Sequence, residues 1–220
     1  METLADPHWT AVPPFLAELL IYIGQNRVAE QFYLAGGTAL ALQLGHRLSV
    51  DLDFFSQTDE ILPPTRRTIT DALQQKFAIE IADAGLGSLL LGIQGSFLGF
   101  YSYTYSLLSP PKLLEGNRLA SLTDIGLMKM DALAGRGTRK DFIDLYFIAQ
   151  TIPLDTLLER SREKFPYVRN FPLMSLQAMV DFDIAEKQVP IETNPAVSWA
   201  EIKAFFEAAA RRIGKQWFES

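Results

Sequence analysis

The chain of 220 residues has no cysteine. Disulfides, a thiolate metal site and a cysteine nucleophile are therefore excluded. That usage fits a reducing compartment, and a cytoplasmic setting is expected. Positive charge is also scarce: 20 Lys and Arg stand against 26 Asp and Glu, for a net charge of −6. A protein that coats nucleic acid without specificity is usually basic, so any nucleic-acid contact here must use a local patch. Long apolar runs are missing. The stretch Phe15 to Ile23 contains Glu18 and is too short to span a bilayer, so no membrane association is expected. No basic segment followed by an apolar core and cleavage site opens the chain, so no secretory leader is predicted. Internal repeats and low-complexity segments are absent as well. What remains is a globular composition, 48% apolar and 21% charged, sufficient for one large domain or two small ones.

Pro13-Pro14 predicts a helix start, followed by an apolar stripe of Phe15, Leu16, Leu19, Leu20 and Ile23. Residues 31–35 read as a strand that ends at Gly36-Gly37. Thr38 is expected to cap a short apolar helix, about 39–44, stopped by Gly45. A polar helix follows Pro63-Pro64. Residues 78–84, 88–94 and 96–105 read as strands. Helices are then predicted over about 124–134, from 138 onward, and over 154–164, 173–180 and 198–214. The pattern is α+β: a mixed sheet with flanking helices, then a helical part. The expected division is 1–115 and 116–220.

The informative stretch is Gly36 to Phe55, GGTALALQLGHRLSVDLDFF. Period-two alternation puts Ser49, Asp51 and Asp53 on one strand face and Val50, Leu52 and Phe54 on the other, toward a core. Two acids side by side repel unless a cation or partner charge joins them. The helix after the glycines offers free N–H groups to a phosphate. A glycine pair alone usually marks only a turn, whereas strand, Gly-Gly, short helix and DxD strand together are far more specific. Downstream, Lys129 is placed on the exposed side of a helix whose other face carries Ile125, Met128 and Ala132. Asp141 and Asp144 share a helix face, and Lys140 and Asp144 stand at ion-pair spacing. A solvated, ion-paired helix surface accounts for that spacing equally well.

The stretch resembles the nucleotidyltransferase superfamily with a DNA-polymerase-β-like fold. Its wording is similar to that of the AbiEii/AbiGii-type toxins of type IV toxin–antitoxin (abortive infection) systems. Residues Lys129 to Tyr146, KMDALAGRGTRKDFIDLY, resemble the same family's downstream pattern. The resemblance implies Mg²⁺-dependent transfer of a nucleoside monophosphate from an NTP, GTP and CTP not being distinguished, to an acceptor hydroxyl. It implies metal binding by Asp51 and Asp53 and nucleotide binding by Gly36, Gly37, Thr38, Ser49 and Arg136. It implies catalytic roles for Asp51, Lys129 and Asp144, with Asp141 either a ligand or a helix-start acid. A tRNA acceptor end or another RNA is the implied acceptor, and a cognate antitoxin encoded elsewhere the implied protein partner. Candidate RNA contacts are Arg66, Arg67, Arg136, Arg139, Lys140, Arg160, Arg162 and Lys164.

One departure stands out. Many members of the superfamily carry a third acid on a later strand, and here the corresponding segment, Gly99 to Tyr105, has none. A nucleotide-binding protein that acts through a protein partner is therefore the alternative, and an enzyme modifying a small molecule or protein a third. His46 and the aromatic cluster from Phe97 to Tyr105 are more readily structural than base-binding.

Overall fold

A computed structural model describes residues 1–26 and 30–219. It divides into two compact units, Met1–Ser121 and Leu122–Ser220. In the first, helix α1 (Pro14–Gln25) follows Pro13 and buries Leu16, Leu19, Leu20 and Ile23 of the stripe expected at helical spacing, while Phe15 is half-buried. Strand β1 (Tyr33–Ala35) runs without a loop into α2 (Gly36–Leu44). Gly45 closes α2 in the left-handed conformation, φ 63°, and its N–H donates to the Ala41 carbonyl. Strand β2 (Leu52–Ser56), helix α3 (Pro63–Gln74), and strands β3 (Glu80–Asp83), β4 (Ser88–Ile93) and β5 (Ser96–Ser102) follow.

Two further strands, β6 (Lys112–Leu114) and β7 (Asn117–Leu119), follow Pro110-Pro111 and are not among the strands read from the sequence. Their turn carries Glu115 and Gly116, both at positive φ, the requirement of a tight hairpin turn. Asn117 anchors the hairpin by donating to the Leu20 carbonyl of α1 at 2.8 Å.

The sheet order is β3-β4-β5-β2-β1-β7-β6. Strand β2 is therefore central, antiparallel to β1 and parallel to β5. Leu52 and Phe54 are fully buried, and the Phe54 and Phe100 rings stack with centroids 5.4 Å apart. Each such ring contributes about 2–3 kcal/mol by leaving water. A central position removes β2 from the sheet edge, where exposed backbone would let the strand shift. Asp53, within β2, is thereby held on a fixed support, with Asp51 immediately before the strand.

The second unit is helical: α4 (Leu122–Arg136), α5 (Arg139–Ala149), α6 (Leu154–Lys164), α7 (Phe171–Ala178), α8 (Asp183–Glu186) and α9 (Trp199–Glu219). Gly137, φ 52°, separates α4 from α5. Gly126 lets the Leu157 and Ile148 side chains approach α4, since a Cβ there would lie 3.0–3.2 Å from them. Phe142 of α5 packs against Phe182, Trp199 and Phe206 with centroids 4.9–5.7 Å apart. Lys164 and Asp124 form an ion pair at 2.9 Å with both side chains fully buried. Lys164 is thus excluded from the expected RNA-contacting residues.

Candidate functional site

In the first unit, the residues singled out from Gly36 to Asp53 converge around the start of α2. Gly36 has φ +66°, a conformation that glycine adopts without the Cβ penalty. A Cβ built there would stand 2.6 Å from Asp53 Oδ2. The bare backbone is therefore what lets the carboxylate sit against the helix start. The cross-strand register agrees, pairing Asp53 with Ala35, the residue just before Gly36. The first N–H groups of α2 have no intrahelical acceptor and carry the positive end of the helix dipole.

Thr38 does not cap α2. It lies inside the helix, and its hydroxyl bonds to Ser49 Oγ at 2.8 Å and to the Asp51 carbonyl. It ties α2 to the chain entering β2. Ser49 is fixed from the other side as well, its N–H donating to the Ala11 carbonyl at 2.9 Å.

These bonds reverse the expected facing of the segment before β2. Regular strand begins only at Leu52. Before it, Arg47 and Ser49 are buried while Leu48 and Val50 are 57% and 43% exposed. Polar pairing with Thr38 and Ala11 outweighs the burial of two aliphatic side chains. The alternation persists, but Val50 does not join Leu52 and Phe54 in the core.

Arg47 is a site residue that sequence reasoning passed over. A Cβ on Gly37 would stand 2.6 Å from its Nη2 and 3.1 Å from Ser49 Oγ. Its Nη1 donates to the Leu48 carbonyl at 3.0 Å. A guanidinium beside the helix start adds cationic charge to the dipole already there. The available signal was its place two residues before Ser49, in the same period-two register.

Asp51 and Asp53 are both partly exposed. Asp51 Oδ1 accepts the Phe97 N–H at 2.9 Å. Flanking Asp53 in the sheet are Ala35 on β1 and Gly99 on β5. Among the described residues, no group of three or more His, Cys, Asp or Glu side chains is arranged to hold a metal. The carboxylate pair nonetheless has the oxygen chemistry that a hard divalent cation takes.

In the second unit, Lys129 is not on an exposed face as expected. Its side chain is 6% exposed, with Nζ 3.0 Å from Asp141 Oδ1 and 2.6 Å from Asp144 Oδ2. Both carboxylates are fully buried, and each needs a counter-charge there. Arg136 supplies another, donating from Nε and Nη2 to the two oxygens of Asp141 at 2.9 Å each, and the Thr138 hydroxyl completes the set. Burial pushes the Asp141 carboxyl up, but the Arg136 hydrogen bonds, the Lys129 and Arg136 charges and the Thr138 bond outweigh it. The carboxyl is brought down to about 2. Asp141 therefore anchors the cluster, Lys129 bridges it to Asp144, and Arg136 keeps a half-exposed outer side.

Other predicted contacts diverge. Arg139 is buried, donates to the Ala185 carbonyl at 3.0 Å and lies over the Trp199 ring. Arg67, Lys140 and Arg162 are exposed, as RNA contacts must be. His46 is fully buried.

Comparison with known proteins follows the same stretch. The family described as nucleotidyl transferase AbiEii toxin, type IV toxin–antitoxin system, matches residues 19–89. An uncharacterized protein of Aquifex aeolicus (strain VF5), aq_aa25, is 31% identical over 196 residues, 88% of this chain and 91% of that one. Among solved structures, a proposed nucleotidyltransferase from H. pylori superposes with a TM-score of 0.55 at 18% identity, over 92% of this chain and 95% of that one. The antibiotic-resistance factor ANT(2'')-Ia gives a TM-score of 0.50 at 14% identity, over 69% of this chain and 92% of that one. At those identities the structural likeness speaks to the fold. The glycine turn and the DxD segment, together with the matching family and the relative of 31% identity, lead to one assignment: the chain is a nucleotidyltransferase of the AbiEii toxin family of type IV toxin–antitoxin systems.

Proposed function

We propose that the protein transfers a nucleoside monophosphate from an NTP to a hydroxyl of an RNA, with a tRNA acceptor end as the leading acceptor. The observation that carries this is the bare Gly36 backbone held against the Asp53 carboxylate at the start of α2. Phosphate and a cation can meet there without a Cβ between them. Asp51 and Asp53 would hold the cation, Mg²⁺ in this reading. When bound, it would screen the phosphates and favour loss of the acceptor's proton.

The chain's own groups do the rest. The N–H groups of Gly36, Gly37 and Thr38 receive the triphosphate, Arg47 adds positive charge beside them, and Ser49 is held to line the pocket. In the transfer, the acceptor oxygen bonds to the α-phosphorus and the bond to the β-phosphate bridge breaks. Pyrophosphate leaves, and the acceptor's proton is lost. By family resemblance, Lys129 and Arg136 are assigned to phosphate charge and Asp144 to the acceptor's proton. The Lys129 bond holds the Asp144 carboxylate in a defined orientation. A cognate antitoxin and a cytoplasmic setting belong to the same reading.

The missing carboxylate beside Asp53 favours a second reading, in which the chain binds NTP without turning it over and acts through a protein partner. Incubation with Mg²⁺, each labelled NTP and total tRNA separates the two. Label in RNA that disappears with Asp51→Ala supports transfer. Nucleotide bound with no label on any acceptor rejects it.

A further inference from the structure

We propose that the Asp51/Asp53 pair takes a single divalent cation, because Gly99 and the Tyr101 ring close the flank where a further carboxylate would have to stand. This rests on the nucleotidyltransferase reading above and specifies how its site is built.

The register of the sheet sets the geometry. Paired residues on neighbouring strands project from the same face. Asp53 pairs with Ala35 on one side and Gly99 on the other, and neither has a side-chain donor. On β5 the space above Gly99 is already filled. A Cβ at that position would lie 2.4 Å from Tyr101 Oη and Cε2 and 2.5 Å from Cζ. The Tyr101 ring therefore leans back along its own strand over Gly99. It is held by its register partner Phe55, with ring centroids 5.3 Å apart. A glycine inside a strand marks such a close approach. An aspartate at 99 would collide with the ring before its carboxylate reached the face that Asp53 presents.

Asp51 is partly committed already, since Oδ1 accepts the Phe97 N–H. The second unit's Asp141 and Asp144 are buried and neutralised by Lys129, with Arg136 also on Asp141. Two carboxylates balance the charge of one divalent cation. A second cation beside them would have no protein carboxylate of its own, and hard divalent cations take six or more oxygen ligands. Phosphate oxygens complete the shell of a cation that accompanies a triphosphate.

Mn²⁺ titration followed by the electron paramagnetic resonance of the free ion tests this, without turnover. The full chain is used with α,β-methylene analogues of GTP and CTP. One Mn²⁺ per chain is expected for wild type and for Tyr101→Phe, which keeps the ring. Asp51→Ala with Asp53→Ala is expected to lose it. The double variant Gly99→Asp/Tyr101→Ala removes the ring and adds the acid, and its count is expected to rise to two. Two ions on wild type would overturn the inference while leaving the nucleotidyltransferase reading intact. No ion on wild type would overturn both. A folded double variant that stays at one ion, with folding checked by circular dichroism, would show that this flank does not set the count. If the double variant does not fold, the wild-type count still decides.

Discussion

Replacing Asp141 with asparagine keeps the shape of a fully buried side chain and removes its charge. Asp141 is contacted by Lys129 at 3.0 Å, by Arg136 through two bonds of 2.9 Å, and by Thr138. Folding lowers its pKa from 3.8 to about 2, a linkage of about 2 kcal/mol. Loss of one partner of a buried ion pair commonly costs about 3–5 kcal/mol. Lys129 retains Asp144, and Arg136 is half exposed and gains water. The expected destabilisation therefore falls at or below the bottom of that range, about 2–3 kcal/mol at pH 7. A depressed carboxyl pKa stabilises the fold above the unfolded value. That stabilisation fades as pH falls from about 4 through about 2. The gap between wild type and Asp141→Asn must narrow over that window. Urea unfolding followed by Trp199 fluorescence in a Trp9→Phe/Trp217→Phe background reports on the helical unit, because Trp199 packs edge-on against Phe142 of α5. A gap below about 0.5 kcal/mol at pH 7, the range of ordinary surface substitutions, would refute the account. So would a gap constant between pH 5 and 2.

Gly36→Ala is expected to abolish Mn²⁺ and nucleotide binding, because its Cβ meets Asp53 and its φ is positive, whereas Gly37→Ala meets only the movable end of Arg47 and the Ser49 hydroxyl and is milder; calorimetric titration of both variants compares them. Thr38→Val loses the bonds to Ser49 and to the Asp51 carbonyl. It should lower stability by about 1–2 kcal/mol in denaturant melts. Lys164→Met leaves Asp124 buried without its lysine and should cost about 3–5 kcal/mol, with Lys164→Met/Asp124→Leu recovering most of it; chemical denaturation of the single and double variants checks this.

The α+β class and the acid pair were legible because they rest on short-range rules. Period-two alternation, a proline at a helix start and a glycine at a helix end each act within a few residues. The β6–β7 hairpin escaped because its strands are only three residues long and its turn signal, Glu115-Gly116, lacked flanking alternation. The inverted facing of Leu48 and Val50 escaped because it depends on Thr38 and Ala11, which are distant in sequence. Lys129 escaped for a related reason. A lysine reads as exposed until its two acidic partners are seen, and those partners sit 12 and 15 positions later.

The loop-free passage from β1 into Gly36 has a genetic consequence. Every missense change at a glycine codon introduces a Cβ, so the whole missense spectrum at position 36 meets the same collision with Asp53. At Thr38, serine would keep the hydroxyl. Under selection for cells that survive such a toxin, escape alleles should therefore include many different amino acids at 36. At 38 they should omit serine, giving a readout of the site that needs neither purified protein nor a known substrate.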